Sequence, residues 1–378
     1  MSFFTSESVS EGHPDKIADQ ISDAVLDAIL SKDKSCAVAC ETMIKNSCVV
    51  LSGEIKTHVS INLKKIVIDV INDIYHNNSP LGVKNDDFNI INLISTQSKE
   101  ITRSVFGTKG NRYLKAGDQG VIFGYACNET DVYMPAPIYF ANQLLVELSK
   151  KRKSNVIKWL LPDAKSQVTV EYNNGIIKRI EKVLISTQHQ SNTSQEEIKT
   201  TVINDIIKRV LPKKYIDKKT KYIVNPSGSF VYGGPNADCG LTGRKIIVDT
   251  YGGYARHGGG AFSGKDPSKI DRSASYMARY IAKNIVAKRL ACQCEIQLSY
   301  GIGIAEPLSI NINTFGTGKY SDYVLTDIVK KNFDLTPYGI IQKLHLQYIQ
   351  YYKTAVYGHF GRESKNFPWE QLDALITH

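Results

Sequence analysis

Apolar residues recur at helical or alternating spacing through the first part of the chain. From Pro14 to about Ser31 they lie three or four positions apart, which predicts an amphipathic helix with Pro14 in its first turn. Two alternating runs follow, Ala37–Ile44 and Cys48–Ile55, and the polar stretch Lys45–Ser47 between them predicts a hairpin. A second helix is expected from about Leu63 to Tyr75.

Helical and strand patterns continue to alternate in the rest of the chain. The sequence Asn173-Asn174-Gly175 separates two alternating runs and predicts a second hairpin. The strands predicted here are Phe88–Ile94, Val121–Ala126, Gln167–Tyr172, Ile176–Ser186, Lys245–Thr250, Glu295–Tyr300 and Ser309–Phe315, and the helices are Pro137–Leu148, Glu196–Val210, Pro267–Leu290 and Tyr320–Asn332. Because several connections are as short as hairpins, we predict an α+β fold with helices on mixed or antiparallel sheets.

The segment Thr96–Gly117 differs from its surroundings because it has no sustained apolar period. A loop of this length is uncommon unless it is functional or disordered, so we interpret it as a mobile loop at a domain boundary. Helix and strand patterns alternate in three comparable blocks along the chain. These blocks predict an N-terminal domain over 1–98, a loop over 99–117, a central domain over 118–228 and a C-terminal domain over 229–378.

Composition is that of a globular protein. The chain has 378 residues, of which 42% are hydrophobic and 22% charged. No apolar stretch reaches about 18 residues, so we expect no transmembrane helix, and Met1–Lys16 lacks the pattern of a secretory signal. The seven cysteines form no CxxC pair, which predicts free thiols in a reducing cytoplasm.

The net charge of +10 is compatible with nucleic acid or with a polyanionic small substrate. The basic residues do not form one long tail. The densest run, Lys150–Lys153, follows a predicted helix, and the interpretation we favour is a solvated helix end.

The segment Gly259–Lys265 matches GxxxxGK, but Asp266 stands where a P-loop has Ser or Thr. Its backbone N–H groups and Lys265 could bind an anion, or the glycines could form a structural turn. Asp266 and Pro267 are predicted to be the N-cap and first turn of the next helix. Nearby Lys269 strengthens the anion-binding interpretation.

The segment Gly12–Lys16 opens the first predicted helix. Its free N–H groups, the imidazole of His13 and the Lys16 ammonium group are suited to phosphate, and Asp15 could hold Mg²⁺. The alternative is that His13 or Glu11 only caps the helix.

Other charged or aromatic residues are weaker candidates. Glu41 and Glu54 lie on facing strands of the predicted hairpin, where a buried carboxylate would need a cation or an ammonium group as its partner. Phe230 and Phe262 could stack on a base, although such rings are usually in the core. Cys239 is disfavoured as a nucleophile because no base accompanies it.

At these residues the chain resembles the S-adenosylmethionine synthetase (methionine adenosyltransferase) family, bacterial type. The resemblance runs from about Phe4 to Trp369 and is most specific at Phe4–Lys16 and Gly258–Asp266. Asp238–Gly252 and Tyr357–Arg362 add support.

The resemblance implies three structurally similar α+β domains, and a homodimer that shares its active sites and pairs into a homotetramer. It implies ATP and L-methionine as substrates, with no nucleic acid and no membrane partner, and a cytoplasmic location. It also implies Mg²⁺, two per subunit, and K⁺, one per subunit. The segment Thr96–Gly117 would be the family's gating loop.

Each role is carried over to the residue that matches the family motif. For ATP and its phosphates these are His13, Asp163, Ala164, Lys165, Ser229, Phe230, Asp238, Arg244, Lys245, Ala261 and Lys265. Among them His13, Lys165, Arg244, Lys245 and Lys265 form the implied catalytic set, and Phe230 resembles the ring that stacks on adenine. Methionine would be held by Glu54, Gln97, Asp238 and Lys269. The implied metal ligands are Asp15 and Asp271 for Mg²⁺ and Glu41 for K⁺.

The residues suit the chemistry that the resemblance implies. Methionine sulfur needs no base to attack the ribose 5′ carbon, and tripolyphosphate leaves before being hydrolysed to phosphate and diphosphate. Preorganised cations stabilise the charge on the leaving oxygen, and His13 would donate a hydrogen bond to it. The carboxylates of Glu54 and Asp238 would favour the sulfonium product and the substrate ammonium group.

Three departures from the family pattern bear on ATP affinity and loop closure. Ser229 replaces the usual Arg, Lys115 replaces the first Gly of a GAGDQG signature, and the gating segment Lys99–Phe106 is divergent. Two other functions stay open at this point. A basic RNA-binding or scaffold protein would fit the charge, and another ATP-using enzyme such as a kinase would fit GxxxxGK.

Overall fold

A computed structural model describes residues 1–75, 88–96 and 114–374 of the chain. Within these ranges the protein is α+β, as predicted, with helices packed on three sheets of which two are mixed and one is antiparallel. The strands are β1 Ser2–Val9, β2 Ala37–Lys45, β3 Cys48–Lys56, β4 Asn89–Ser95, β5 Gly120–Cys127, β6 Leu160–Asn173, β7 Ile176–His189, β8 Lys221–Val224, β9 Gly240–Leu241, β10 Gln293–Tyr300 and β11 Ser309–Asn313.

The helices follow the predicted positions closely, apart from the corrections given below. They are α1 Pro14–Leu30, α2 Leu63–Tyr75, α3 Ala136–Lys153, α4 Gln195–Thr201, α5 Lys208–Val210, α6 Gly234–Ala237, α7 Ile246–Asp249, α8 Ile270–Ala287, α9 Asp322–Asn332 and α10 Pro337–Lys343. A π-helical stretch, Val202–Ile207, joins α4 to α5, so the predicted helix Glu196–Val210 is continuous but locally unwound.

The three sheets exchange strands along the chain. The orders are β1-β6-β7-β8, β4-β3-β2-β9 and β11-β10-β5. Strand β1 therefore pairs with the middle of the chain, β5 pairs with the C-terminal part, and β9 pairs with the first hairpin. These exchanges interlock the three parts and bring the loop after β9 against α1. The domain boundaries at 98, 117 and 228 stay a prediction.

Helix α1 is buried on its polar side as well as on its apolar side. Ile17, Ile21 and Val25 lie in the main core, as the periodicity predicts. Asp19 and Asp23, on the polar side, are also fully inaccessible. Buried carboxylates need hydrogen-bond donors, and this requirement fixes the loops that pack against α1.

The predicted strand Lys245–Thr250 is wrong, because Ile246–Asp249 forms one helical turn. Its β-branched residues favour a strand, but the Asp249 N–H bonds to the Lys245 carbonyl oxygen at 2.9 Å and the Asp249 carboxylate pairs with buried Lys16. Tertiary contacts here override local β-propensity.

The predicted N-cap at Asp266 is also wrong, since α8 begins at Ile270. The Asp266 carboxylate instead accepts hydrogen bonds from the backbone N–H of Val38 at 2.6 Å and of Ser268 at 2.8 Å. The Asp266 carboxylate therefore ties the segment that precedes α8 to β2.

No helix in the described ranges is long and apolar enough to cross a membrane. All seven cysteines lie in those ranges and are free thiols, as predicted.

Candidate active site

His13 is the N-cap of α1, and its ring is oriented by the helix. The backbone N–H of Asp15 donates to His13 Nδ1 at 3.2 Å, so Nδ1 is an acceptor and the neutral ring carries its proton on Nε2. Burial, followed by the charge of Lys245, lowers the pKa of His13 to about 3. The capping role and the donor role predicted for His13 are therefore compatible: one nitrogen caps the helix and the other offers an N–H.

The loop before His13 is fixed by close packing. A Cβ atom on Gly12 would lie 2.4 Å from the Pro162 carbonyl carbon, so only glycine allows this approach. Ser10 Oγ donates to the Pro162 carbonyl oxygen and accepts from the Ala164 N–H, which ties the loop to β6. His13 is thereby held beside the strand that carries Lys165.

Asp15 and Lys245 form an ion pair at the edge of the site. Lys245 Nζ lies 2.5 Å from Asp15 Oδ2, and the Leu241 N–H donates to Asp15 Oδ1 at 3.0 Å. Burial acts to raise the pKa of Asp15, but the hydrogen bonds from Lys245 and Leu241 outweigh it and leave the pKa below its ordinary value. The carboxylate is therefore ionised and suited to a divalent cation.

Four aspartates spaced four residues apart on α1 accept backbone N–H groups from three separate loops. They are Asp15, Asp19, Asp23 and Asp27, and their donors are Leu241, Gly243, Gly264, and Tyr351 with Tyr352. The bonds from Gly243 and Gly264 measure 2.9 and 2.8 Å. Since Gly243 precedes Arg244 and Gly264 precedes Lys265, α1 positions the backbone beside both cations.

Two buried cations balance these aspartates. Lys16 is fully inaccessible and pairs with Asp19 and Asp249. Arg272 donates to both oxygens of Asp23, at 2.7 and 2.9 Å. Sequence reasoning missed this network, although the four-residue spacing of the aspartates was a visible signal.

Lys265 pairs with Asp271 at 2.5 Å, the same distance as the Lys245–Asp15 pair. A Cβ atom on Gly260 would lie 2.4 Å from Asp271 Cγ, so this glycine makes room for the carboxylate. Gly264 has φ +80° and packs against the Cys40 carbonyl oxygen.

This segment does not have the strand–loop–helix arrangement of a P-loop. Lys265 forms an isolated β-bridge with Ala39, and α8 starts only at Ile270. The GxxxxGK match is therefore coincidental. Gly260 and Gly264 serve close packing, whereas Gly259 has no atom near an added Cβ and serves the backbone, at φ +97°.

Asp163 is buried on β6, next to Ala164 and the exposed Lys165. Its Oδ2 accepts the Gly234 N–H at 2.8 Å, while Oδ1 has no hydrogen-bond partner among the described residues. Burial raises the pKa of Asp163 to about 6. The free oxygen can accept a hydrogen bond from a ligand hydroxyl.

Phe230 lies half-buried in the loop after β8, and its neighbour Ser229 is exposed. The His189 ring and the Phe230 backbone are joined by a hydrogen bond of 2.9 Å. Phe262, the other candidate ring, is 3% exposed and packs edge-on against Tyr276 and His359. Phe262 is therefore a core residue.

Glu41 and Glu54 share the outer face of the β2–β3 hairpin, opposite Ser52 and Ala39 respectively. Both are exposed, so the expectation of buried carboxylates is wrong for the single chain. The alternation of the strands turns both side chains away from α1.

The remaining predicted residues surround these groups. Asp238 and Arg244 are exposed, and the Asp238 carboxylate accepts the Cys239 N–H at 2.8 Å. Ala261 packs against Gly243, where an added Cβ would lie 2.6 Å from the Ala261 methyl group. Lys269 pairs with Asp266 at 2.5 Å.

Gln97 lies outside the described residues, as do 99–113 of the predicted gating loop.

The basic run Lys150–Lys153 forms the last turn of α3 and is not simply a solvated helix end. Arg152 Nη2 lies 2.5 Å and Lys153 Nζ lies 2.8 Å from the carboxylate of buried Glu11, which also accepts from Ser149 Oγ. These contacts anchor the residue two positions before His13, so half of the run supports the site.

The described residues thus form three groups: His13 with Asp15 and Lys245, Lys265 with Asp271, and Asp163 with Gly234 and, through Gln188, with the Phe230 loop. No group of three or more His, Cys, Asp and Glu side chains in the described part of the chain is arranged to hold a metal. Single ionised carboxylates suit Mg²⁺, which binds through one or two carboxylates together with substrate phosphates.

Comparison with protein-family models matches three consecutive domains of one family. Residues 1–99 match the S-adenosylmethionine synthetase N-terminal domain, residues 113–230 the central domain and residues 232–371 the C-terminal domain. The matches together cover most of the chain and follow one another in the order N-terminal, central and C-terminal domain.

Proposed function

The chain belongs to the S-adenosylmethionine synthetase family and is a methionine adenosyltransferase, and on this premise we propose how its residues carry out the reaction. The enzyme forms S-adenosylmethionine from L-methionine and ATP. The proposals below concern the roles of individual residues, the ions and the assembly.

One observation carries the assignment of the phosphate site. Each of the two ion pairs, Lys245–Asp15 and Lys265–Asp271, joins a proposed phosphate-binding ammonium group to a proposed magnesium-binding carboxylate. Without ligand, each pair neutralises charges that would otherwise face low dielectric. When Mg-ATP binds, the lysines would turn to phosphate oxygens and the aspartates would become available to hold the cation.

The reaction makes one carbon–sulfur bond and breaks one carbon–oxygen bond. Methionine sulfur attacks the ribose 5′ carbon, and the electron pair of the broken bond leaves on the triphosphate oxygen. His13 Nε2–H donates a hydrogen bond to that oxygen, while Lys165, Arg244, Lys245 and Lys265 stabilise the growing negative charge. Each such preorganised group contributes a factor of about 10²–10³ to the rate.

Members of this family generally depend on Mg²⁺ and K⁺. We propose that Asp15 and Asp271 hold Mg²⁺, two per subunit, and that Glu41 holds K⁺, one per subunit. Bound divalent cations neutralise charge on the triphosphate. The tripolyphosphate formed in the first step is then hydrolysed by water to phosphate and diphosphate.

The adenosine end is proposed to lie against the Asp163–Phe230 region, with contributions from Ala164, Ser229 and Ala261. This is supported by the free Oδ1 of Asp163 and by the half-buried Phe230 ring. Methionine is proposed to bind Glu54, Gln97, Asp238 and Lys269. The exposed carboxylates would pair with its ammonium group and with the sulfonium product.

A homodimer that shares its active sites, paired into a homotetramer, accounts for the exposed outer face of the β2–β3–β4 layer. Met43, Ile91 and Leu93 on this face are 39%, 40% and 59% exposed. The proposed ion and methionine ligands Glu41 and Glu54 lie on the same face. A second copy seated there would bury the apolar residues and enclose both carboxylates. Seven free thiols fit a cytoplasmic location, and we propose no nucleic-acid or membrane partner.

The test is direct. Purified protein incubated with ATP, Mg²⁺, K⁺ and methionine should yield S-adenosylmethionine by mass spectrometry. Lys245→Ala should abolish most product, whereas Lys151→Ala should not. Lys151 is a matched control because its side chain is 20% exposed and paired with a carboxylate, compared with 21% for Lys245. Absence of S-adenosylmethionine when the unmodified protein is incubated with saturating substrates would contradict the proposal.

A further inference from the structure

The last three residues of β7 hold the loop 225–231 that carries Phe230. Thr187 exchanges backbone hydrogen bonds with the Asn225 side chain, at 2.8 and 3.1 Å. Gln188 Nε2 donates to the Val231 carbonyl oxygen at 2.9 Å. The His189 N–H donates to the Phe230 carbonyl oxygen at 3.0 Å. The loop is therefore supported at both ends and directly behind the ring.

The His189 side chain adds a contact to Phe230 that depends on one form of the imidazole. The Phe230 N–H donates to His189 Nε2 at 2.9 Å, and the Gln195 amide nitrogen lies 3.3 Å from the same atom. His189 Nδ1 lies 2.9 Å from the Gln190 carbonyl oxygen, which can only accept. The Phe230 and Gln190 contacts are both satisfied only when the proton is on Nδ1 and Nε2 is an acceptor.

We propose that His189 is a positioning residue for the nucleotide: as the neutral Nδ1–H tautomer it holds the Phe230 backbone so that the ring is set for stacking. This rests on the proposed function, in which Phe230 stacks on adenine. His189 is 1% exposed, so its ring supports the loop from behind and does not touch the ligand itself.

The end of β7 also contacts Asp163, the other residue proposed to lie against the adenosine. The Asp163 N–H donates to Gln188 Oε1 at 3.3 Å, while the other end of that amide holds Val231. Neighbouring residues of β7 therefore link the proposed adenine-stacking ring to Asp163, whose free Oδ1 can accept a hydrogen bond from a ligand hydroxyl. Loss of the His189 contact should raise the KM for ATP without changing methionine binding.

The experiment compares His189→Leu, which has no ring acceptor, with His189→Gln, which keeps one donor and one acceptor. We expect His189→Leu to raise the ATP KM about three- to tenfold, the effect of one lost hydrogen bond. The methionine KM and kcat should change less than twofold, and His189→Gln should recover part of the ATP affinity. Unchanged ATP KM in His189→Leu would overturn the proposal.

A general loosening of the sheet is tested with Val183→Ala. Val183 is a fully buried residue of the same strand, six positions before His189. Its truncation should destabilise β7 without raising the ATP KM. An equal rise in both variants would assign His189 to fold stability alone.

Two further measurements separate this inference from the proposed function. If Phe230→Ala leaves the ATP KM unchanged, the proposal that Phe230 stacks on adenine is wrong. If Phe230→Ala raises the ATP KM and His189→Leu does not, only the proposal that His189 positions Phe230 is wrong. Nitrogen-15 NMR of the ligand-free protein should find the His189 proton on Nδ1, and a proton on Nε2 would contradict the geometry.

Discussion

The ammonium nitrogen of Lys245 lies 2.5 Å from one carboxylate oxygen of Asp15, and the N–H of Leu241 donates to the other oxygen at 3.0 Å. The ammonium group proposed to bind phosphate is thus neutralised by Asp15 before the substrate binds. The pair keeps both side chains near their working positions, but free phosphate must compete with Asp15 for Lys245.

This competition predicts that Asp15→Asn binds tripolyphosphate more tightly when Mg²⁺ is absent. The substitution frees Lys245, and a charge-assisted contact contributes about 1.5–3 kcal/mol, or less at a half-exposed site. Calorimetry in the presence of a chelator should therefore show a gain of several-fold in affinity, whereas Mg²⁺-dependent turnover falls. Asp69→Asn, which removes an exposed carboxylate of α2, is the control. Equal affinities in chelator for all three proteins would mean that Asp15 does not compete for Lys245.

The geometry of His13 predicts that its ring does not titrate near neutral pH. Burial and the nearby Lys245 lower the pKa of His13 to about 3, so the imidazole is neutral throughout the range from pH 5 to 8. NMR of the ring protons should show no His13 titration in that range, and kcat should show no step near pH 6.5 that disappears in His13→Asn. A His13 titration near pH 6.5 would show that burial and Lys245 do not keep the ring neutral, and protonation of Nδ1 would then break its hydrogen bond with the Asp15 N–H.

Local pattern was sufficient for the elements near the site. Helix α1 and the β2–β3 hairpin lie where periodicity places them, because their apolar residues face one core and Asn46, at φ 51°, suits the tight turn. The basic and acidic residues proposed for the site come from motif resemblance, which did not predict the ion pairs that they form.

What the sequence did not reveal depends on long-range contacts. The turn Ile246–Asp249 is helical because Asp249 pairs with Lys16, more than two hundred residues earlier. The pairing of β9 with β2 and the hydrogen bond between His189 and the Phe230 backbone likewise join distant segments. A hydrophobic period of two or 3.6 residues predicts strands and helices, but it does not predict which loop donates its N–H groups to which aspartate.

The raised pKa of Asp163 predicts that the natural protein and Asp163→Asn differ in stability by an amount that depends on pH. Burial raises its folded-state pKa to about 6, above the ordinary value of 3.8, so the folded protein binds this proton more tightly than the unfolded chain does. The ionised carboxylate therefore costs stability above pH 6, and this cost disappears as pH falls towards 4. Relative to Asp163→Asn, the natural protein should gain up to roughly 3 kcal/mol in the free energy of unfolding between pH 7.5 and pH 4.

Urea unfolding of both proteins at the two pH values measures this gain. Asp217→Asn is the control of opposite sign, because a hydrogen bond from Arg179 lowers the Asp217 pKa to about 2. The same protonation should raise the ATP KM below pH 6 in the natural protein, since Asp163 Oδ1 would lose its free acceptor character. A pH-independent difference between the natural protein and Asp163→Asn would show that Asp163 does not titrate in this range.

The final prediction concerns the products, because they separate attack at the 5′ carbon from every other use of ATP. A kinase leaves ADP and an adenylate-forming enzyme leaves AMP. Attack at carbon leaves neither, since all three phosphates depart together, and the lysines on two separate loops suit a ligand that is held along its whole length. Phosphorus NMR should show phosphate and diphosphate growing in equal amounts and only when methionine is present. In ¹⁸O-labelled water the label should enter these phosphates and never the adenosyl group, because water attacks only tripolyphosphate. Stoichiometric ADP or AMP, or label in the adenosyl product, would refute the mechanism.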